Sequence, residues 1–563
     1  MFGPMPFRTV PVSHRLALAL VRTRTAQLPQ VFLVVRTFSS TQTNKNAEEE
    51  TTQISRTKRD DNGRNRGSGR SFALGVVFAV AVYGAGSSIG KGRDSEEPLL
   101  ASTLPIAQSR TPTLNTDANT ITQVYKELVS ILGEEHVSSG KFELESHAGS
   151  DFSSYSNSDG ALHFAIVYPS STDDVSRIMT VCHAHRIPVT AYSGGTSLEG
   201  HFAPTQGGIC VDFSRMDRIV KLHKDDLDVI VQPGVGWEDL NEQLATDDLF
   251  FPPDPGPGAK IGGMIGTGCS GTNAYRYGTM RDWVVSLTVV LADGTVITTR
   301  QRPRKSSAGY DLTRLFIGSE GTLGLVTEAT LKLTARPQNT SVAIATFPSL
   351  YDAAGCVSRL VSSSVQVSGM ELLDDSAMRF VNNSGATGRK WAELPSMFFR
   401  FSGSDSMVRD QIAIVKAAAE SSSSQSFDFA TGEEEAAELW SARKEALWSV
   451  MAAKKSPSDH VWTTDHGLDG GIVGHVGDGN YHAMILFSEA ERPVAQRVVS
   501  DMVHRAIEME GTVTGEHGIG LIKRDYLPRE IGQPAVDTMR MIKHALDPQC
   551  ILNRDKVFRT GQN

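Results

Sequence analysis

The chain has only five cysteines (Cys182, Cys210, Cys269, Cys356 and Cys550), far apart and without a C-x-x-C pair. That argues against a disulfide scaffold and against a cysteine-built zinc or iron–sulfur site. No G-x-x-x-x-G-K-[ST] is present, so a P-loop ATPase is excluded. Positive charge is not in excess: 55 Lys and Arg stand against 64 Asp and Glu, a net charge of −9. A chain this acidic is not a general binder of nucleic acid. What it does have is length and glycine. Its 563 residues, 40% of them hydrophobic, are enough for two to four folded units and rule out wholesale disorder. Its 51 glycines gather in short clusters beside apolar runs, a pattern that suits backbone approaching a ligand better than linker.

The first 47 residues contain no acidic residue but carry Arg8, Arg15, Arg22, Arg24, Arg36 and Lys45. Apolar runs such as Leu16–Leu20 lie between the arginines. This is the composition of a mitochondrial transit peptide, assigned to residues 1–45. Arg36-Thr37-Phe38-Ser39-Ser40 resembles a matrix-protease cleavage site; the alternative is a disordered basic tail. Residues 46–120 read as a linker. Within it Ser71–Gly90 is uncharged, with Arg70 on one side and Lys91 and Arg93 on the other. A membrane span takes ~20 mostly apolar residues, so 71–90 is a borderline candidate with suitable flanks. Transit peptide plus hydrophobic arm suggests arrest in the mitochondrial inner membrane, with the folded part facing the intermembrane space. The alternative is a buried element of the folded domain.

From Ala161 a strand to Tyr168, N-cap residues at Ser171–Asp174 and an apolar helical face at Val175, Ile178, Met179 and Cys182 precede a second strand, Ile187–Tyr192. This β–α–β unit runs into Ser193-Gly194-Gly195-Thr196-Ser197, a loop that can turn backbone N–H groups toward a phosphate. Alone, such a loop is more often an ordinary turn. Others follow: Gln232–Trp237; Pro252-Pro253-Asp254 leading to Gly262-Gly263 and Gly266-Thr267-Gly268-Cys269-Ser270; and Gly321-Thr322-Leu323-Gly324-Leu325-Val326. None is a G-x-G-x-x-G followed by the ribose-binding acid, which disfavours a Rossmann NAD site.

These loops, in this order, resemble the FAD-binding domain of the vanillyl-alcohol oxidase type. Through Gly200-His201-Phe202-Ala203-Pro204 and Arg281-Asp282-Trp283 the chain is similar to the FAD-dependent D-lactate dehydrogenases of mitochondria, over roughly Leu162 to Phe558. The resemblance implies an α+β fold: a two-subdomain FAD-binding domain (159–337), a cap over the flavin (338–520), and a C-terminal segment (521–563) returning to the FAD domain. Ser193–Ser197 would hold the pyrophosphate; Pro252–Gly256, Gly262–Gly271 and Gly321–Thr327 would line the adenine and ribityl side. Cys269 and His201 are available for a covalent flavin link, but the resembling subfamily binds FAD without one, so non-covalent FAD is expected.

Two ionisable clusters lie in the cap region. One is Gly474-His475-Val476-Gly477-Asp478-Gly479-Asn480-Tyr481-His482, whose turn can bring both imidazoles to one point. The other is Thr514-Gly515-Glu516-His517-Gly518. Two His and one Glu make a common ligand set for a catalytic divalent ion, although the spacing alone favours separate, hydrogen-bonded histidines. By resemblance His475, His482 and Glu516 match the metal ligands, with zinc or manganese as the ion. A divalent ion on the hydroxyl and carboxylate of a 2-hydroxy acid would lower the hydroxyl pKa. His517 is then the general base, or else a hydrogen-bond partner of Glu516. Arg443, in Leu439-Trp440-Ser441-Ala442-Arg443, matches the arginine that grips the substrate carboxylate.

One departure stands out. After Val461-Trp462-Thr463-Thr464-Asp465, relatives continue with a strand, a proline turn and a helix before the metal histidines. Here the chain reaches His475 almost at once, on the order of 25 residues short by typical element lengths. Asn553-Arg554-Asp555 also lacks the family's proline–glycine. The leading expectation is oxidation of D-lactate to pyruvate with electrons passed to cytochrome c. The rivals are a D-2-hydroxyglutarate or glycolate dehydrogenase, a flavin-binding remnant without turnover, and an ether-lipid synthase of the same flavin fold.

Overall fold

Short strands rich in Val, Ile and Phe build three sheets and a two-stranded ribbon. The computed structural model describes residues 112–150, 153, 155, 160–456, 460–462 and 469–560, all in one unit. The transit peptide, the membrane arm and Asp465 lie outside the described residues. Among those described, no helix is long and apolar enough to cross a membrane.

The first sheet has the order β1-β2-β4-β3, with β1 Val137–Ser138, β2 Ala165–Val167, β3 Val189–Tyr192 and β4 Ile209–Asp212. Strands β2 and β3 run parallel to β4. The helix Thr172–His185 joins β2 to β3. The Ser171 side chain accepts from the Asp174 N–H, two acids occupy its first turn, and Val175, Ile178, Met179 and Cys182 bury one face. A helix that the apolar pattern did not reveal, Ala118–Leu132, adds Val124 and Leu128 to the same core.

The second sheet is antiparallel, order β5-β6-β10-β8-β9: β5 Ile219–His223, β6 Asp228–Val231, β8 Val284–Val290, β9 Val296–Thr298 and β10 Leu325–Lys332. A small ribbon pairs β7 (Leu249–Phe250) with β11 (Thr334–Ala335). The helices Trp237–Ala245 and Ile261–Thr267 share this sheet's core.

The third sheet has seven antiparallel-paired strands in the order β15-β12-β14-β13-β17-β18-β16: β12 Asn339–Thr346, β13 Gly369–Leu373, β14 Ser396–Gly403, β15 Ser426–Phe429, β16 His460–Trp462, β17 Gly470–Gly474 and β18 His482–Phe487. Its two faces follow the strand period of two. On β14, Phe398 joins the core shared with helices Asp375–Ser384 and Glu433–Ala452, while Met397, Phe399 and Phe401 join that of Leu350–Ser362 and Asp405–Glu420.

The connection between β16 and β17 runs through 463–469. Both pair antiparallel with β18, on opposite sides, and Trp462 and Gly470 both stand opposite Ile485. The two strands are therefore parallel to each other. Because Trp462 and Gly470 stand at one level on either side of β18, the chain through 463–469 has only to step across one strand, roughly 10 Å at the usual strand spacing, a span within its reach.

The C-terminal stretch packs back on the first two sheets. Leu552 bridges to Val189. Lys543, almost fully buried, donates to the carbonyls of Thr322 and Leu552 (both 2.7 Å) and to Asp547 Oδ2 (2.5 Å), while Asp547 also accepts the Ile551 and Leu552 N–H groups. Removing one partner leaves a buried charge uncompensated. Asp547→Ala is therefore expected to cost about 3–5 kcal/mol in urea unfolding. Lys543→Met, which leaves Asp547 its two N–H donors, should cost less.

Candidate active site

The glycine loops meet one another before they meet anything else. The loop 193–197 leaves β3 with Gly195 at φ 64, and Ser193 Oγ donates to the Pro233 carbonyl at 3.1 Å. On the helix Ile261–Thr267 the glycines divide by function. A Cβ on Gly262 would come 2.7 Å from Pro233 Cβ, so close packing requires that glycine. A Cβ on Gly263 would find nothing nearer than Ser193 Cβ at 4.0 Å, and one on Gly266 nothing nearer than Glu320 Cα at 3.9 Å. Between Ser193 and Glu320 this helix thus offers bare backbone to open space, the surface that suits close approach of a ligand. Gly266–Gly271 spells G-x-G-x-x-G, but it closes this helix, with Gly268 left-handed at φ 66, instead of opening one after a strand. It is not a Rossmann phosphate turn.

Other expected cofactor residues have partners within the protein. The Pro252 carbonyl accepts from Asn273 Nδ2, and Asp254 accepts from Thr272 Oγ1 (2.6 Å) and the Asn273 N–H (2.8 Å). Burial raises the Asp254 carboxyl above its ordinary range despite Arg400 at 3.6 Å. Thr267 Oγ1 donates to the Gly263 carbonyl. Cys269 is buried and burial pushes its thiol up, which makes it an unreactive sulfur. Thr322 Oγ1 donates to the Ser319 carbonyl, a Cβ on Gly324 would strike Val289, and Val326 packs on the second core. Gly194 abuts the Gly258 carbonyl, Gly321 sits at φ 70 beside Ala191, and Thr196 is exposed next to Ser197.

The ionisable cluster forms where the third sheet meets these loops. His475 follows β17 and His482 opens β18. The intervening turn needs Gly477, where a Cβ would lie 2.7 Å from Tyr275, and Gly479 at φ 77. The two rings stand 5.3 Å apart at 87°. Glu516 Oε1 lies 3.0 Å from His475 Nε2 and 2.9 Å from His482 Nε2, and Ser270 Oγ donates to Glu516 Oε2. One ligand atom from each of the three residues falls within 4.8 Å of the others. On the far side of His475, Nδ1 lies 2.8 Å from Glu371 Oε1, and Arg443 Nε donates to Glu371 Oε2 at 2.7 Å. Arg443 thus reaches the cluster through Glu371.

Electrostatics sort these groups. Burial opposes charge on His475, but Glu371 and Glu516 flank it and raise its proton affinity. His482 has only Glu516, and burial brings it down to about 4. Burial also works against the Glu516 carboxylate, yet His475 and His482 hold it well below the ordinary range. Two Nε2 atoms and one ionised carboxylate oxygen converge, with Glu371 on the outer nitrogen of His475. That donor set fits a divalent ion with open positions, and a carboxylate behind a ligand imidazole is the arrangement that fixes which nitrogen faces it.

His517 stacks on His482, ring centres 4.9 Å apart at 13°, and its Nδ1 is 3.6 Å from Glu199 Oε1. Lys523 Nζ lies 2.8 Å from the same oxygen. Burial would raise the Glu199 carboxyl, but Lys523 and His517 hold it at about 2. Glu320 Oε1 and Oε2 accept the Ile519 and Gly520 N–H groups at 2.6 and 2.8 Å. Four polar residues here were not singled out for a role from the sequence: Glu371, Glu199, Glu320 and Lys523. The one available signal was a carboxylate inside an apolar strand, Gly369–Leu373.

Comparison with known proteins agrees with this geometry. A family model described as FAD binding domain matches residues 164–300. One described as FAD linked oxidases, C-terminal domain, matches in two stretches, 336–466 and 462–557. The chain is 46% identical over 477 residues to the mitochondrial D-lactate dehydrogenase [cytochrome] of Kluyveromyces lactis, covering 79% of this chain and 83% of that one. It is 45% identical over 533 residues to the mitochondrial D-lactate dehydrogenase [cytochrome] 1 of Saccharomyces cerevisiae, covering 87% and 89%. Among solved structures, 4-ethylphenol oxidase from Gulosibacter chungangensis superposes with a TM-score of 0.65 at 18% identity, over 80% of this chain and 99% of that one, a likeness of fold.

The division among the helix glycines is testable. Gly263→Val is expected to give a folded protein with parental near-UV circular dichroism and little flavin absorbance. Gly262→Ala should instead lower the thermal midpoint by several degrees, because its Cβ meets Pro233.

Proposed function

Since the chain belongs to the FAD-linked oxidases, in the family of the mitochondrial D-lactate dehydrogenases, we propose that it oxidises D-lactate to pyruvate on non-covalently bound FAD. In this reading a zinc or manganese ion assists, electrons pass to cytochrome c, and the enzyme works at the mitochondrial inner membrane, facing the intermembrane space. The observation that carries it is a convergent His475–His482–Glu516 set tied to the glycine loops through Ser270.

Each group has a defined task. Residues 193–197 and the bare face of Gly263 and Gly266 hold the cofactor, and FAD, when bound, supplies the two-electron acceptor for the C2 hydride. His475, His482 and Glu516 hold the divalent ion, which when bound acidifies the substrate hydroxyl. Arg443 grips the substrate carboxylate, with Glu371 fixing its Nε. His517 accepts the hydroxyl proton as C2 loses its hydride, leaving the carbonyl of pyruvate.

A break in the family match at the end of β16 favours a second reading, a chain that binds FAD but has lost turnover. Its support is that the C-terminal family model matches in two separate stretches that meet at 462–466.

Anaerobic addition of D-lactate to the protein lacking residues 1–100 separates the two. The enzyme reading expects the flavin band to bleach with D- but not L-lactate, and to stop bleaching in His517→Ala or after chelation. A yellow protein that stays oxidised with every 2-hydroxy acid supports the second. Independently, Glu371→Gln is expected to weaken zinc or manganese binding about 10–100-fold in chelator competition.

A further inference from the structure

We propose that Glu199 is a positioning residue for His517: its carboxylate, anchored by Lys523, turns the imidazole so that Nδ1 faces Glu199 and Nε2 is left to take a proton. This rests on the reading of His517 as the proton acceptor.

Glu199 directly follows the glycine loop and Leu198, and it is buried. A buried carboxylate is costly unless its oxygens are used. Oε1 is shared by Lys523 Nζ at 2.8 Å and His517 Nδ1 at 3.6 Å, while Oε2 is buried without a hydrogen-bond partner. An ion pair with Lys523 alone would be a sufficient bolt between the two segments, but the backbone already supplies one. The Glu199 carbonyl accepts the Leu521 N–H at 2.8 Å. At Gly520 the chain passes so close that a Cβ would lie 2.2 Å from that carbonyl oxygen, and Gly520 takes the left-handed φ of 53. The side chain is therefore free for another task, and His517 Nδ1 faces the same oxygen.

The ring is held in two different ways. His482 stacks on it at 13° and sets its plane. Rotation within that plane is what the carboxylate controls. An imidazole with Nδ1–H toward a carboxylate carries its lone pair on Nε2, the tautomer a proton acceptor needs. The 3.6 Å separation is longer than a hydrogen bond, and such contacts commonly tighten when substrate arrives.

The full protein with FAD, labelled with 15N-histidine, gives a test that does not depend on turnover. His517 ring signals, assigned by their loss in His517→Gln, are expected to report the Nδ1–H tautomer in the parent and a mixture in Glu199→Gln. The same tautomer in both would overturn the proposal. In anaerobic stopped flow, Glu199→Gln should slow flavin reduction by D-lactate roughly 10–100-fold, with KM within about twofold and a larger solvent isotope effect. If Glu199→Gln does not retain flavin, Glu199→Asp decides: it keeps a charge for Lys523 but withdraws from His517, so a parental tautomer overturns the idea and a mixture supports it. A tautomer change without a slowed reduction, together with an unimpaired His517→Ala, would sink the proton-acceptor reading while leaving the positioning contact intact. A slow His517→Ala beside a parental Glu199→Gln would sink only the role of Glu199.

Discussion

Glu320 is the residue on which the site depends. Its backbone is left-handed at φ 53, a conformation that costs a non-glycine residue of order 1 kcal/mol or more and persists only where its surroundings hold it. They do so from four directions. Its N–H donates to the Gly266 carbonyl, its carbonyl accepts Asn553 Nδ2, and its two carboxylate oxygens take the N–H groups of Ile519 and Gly520. Hydrogen bonds from backbone N–H to an ionised carboxylate are shorter and stronger than neutral ones. One residue, through its backbone and its carboxylate together, thus joins the glycine helix, the turn carrying Glu516 and His517, and the C-terminal segment.

That junction matters because neither half can do the chemistry alone. The glycine helix offers backbone to a large ligand but no acid–base group. The third sheet supplies His475 and His482 at adjoining strand ends, yet Glu516 reaches them from a turn held against the other half. Ser270 completes the join by donating to Glu516 from the end of the glycine segment. The carboxylates nearest the histidines divide the labour: Glu516 faces both inner nitrogens, while Glu371 takes the outer nitrogen of His475 and the Nε of Arg443. A single buried acid therefore orients a proposed metal ligand and a proposed substrate grip together.

Much of this could be read in the sequence, where local chemistry carried it. The helix Thr172–His185 announced itself through its cap and one apolar face, while His475, His482 and Glu516 stood out through their glycine turns and were grouped only by resemblance. What could not be read depends on contacts between distant segments. Gly262 and Gly263 are neighbours of the same type; Pro233, thirty residues earlier, makes one a packing glycine and leaves the other open. Glu371 looks like a solvent-facing interruption of β13 until His475 and Arg443 are placed on it. Glu320 sits in a turn whose sequence suggests a ligand loop, and only its partners at 266, 519, 520 and 553 reveal a structural clamp. The helix Ala118–Leu132 was missed because Val124 and Leu128 are its only fully buried residues.

The β16–β17 connection bears on these assignments unequally. The position of β17 does not rest on it alone: Leu372 and Leu373 of β13 pair with Gly474 and Val473, and the Asp374 N–H donates to the Ile472 carbonyl. His475 is then fixed from the β13 side by Glu371, and His482 by its pairing with Val473 across β17 and β18. The ligand set is therefore assembled by strands that stay paired whatever joins β16 to β17. The edge strand β16 has three residues and a single partner. A change in the β16–β17 connection therefore reaches the edge strand β16 before it reaches His475 or His482.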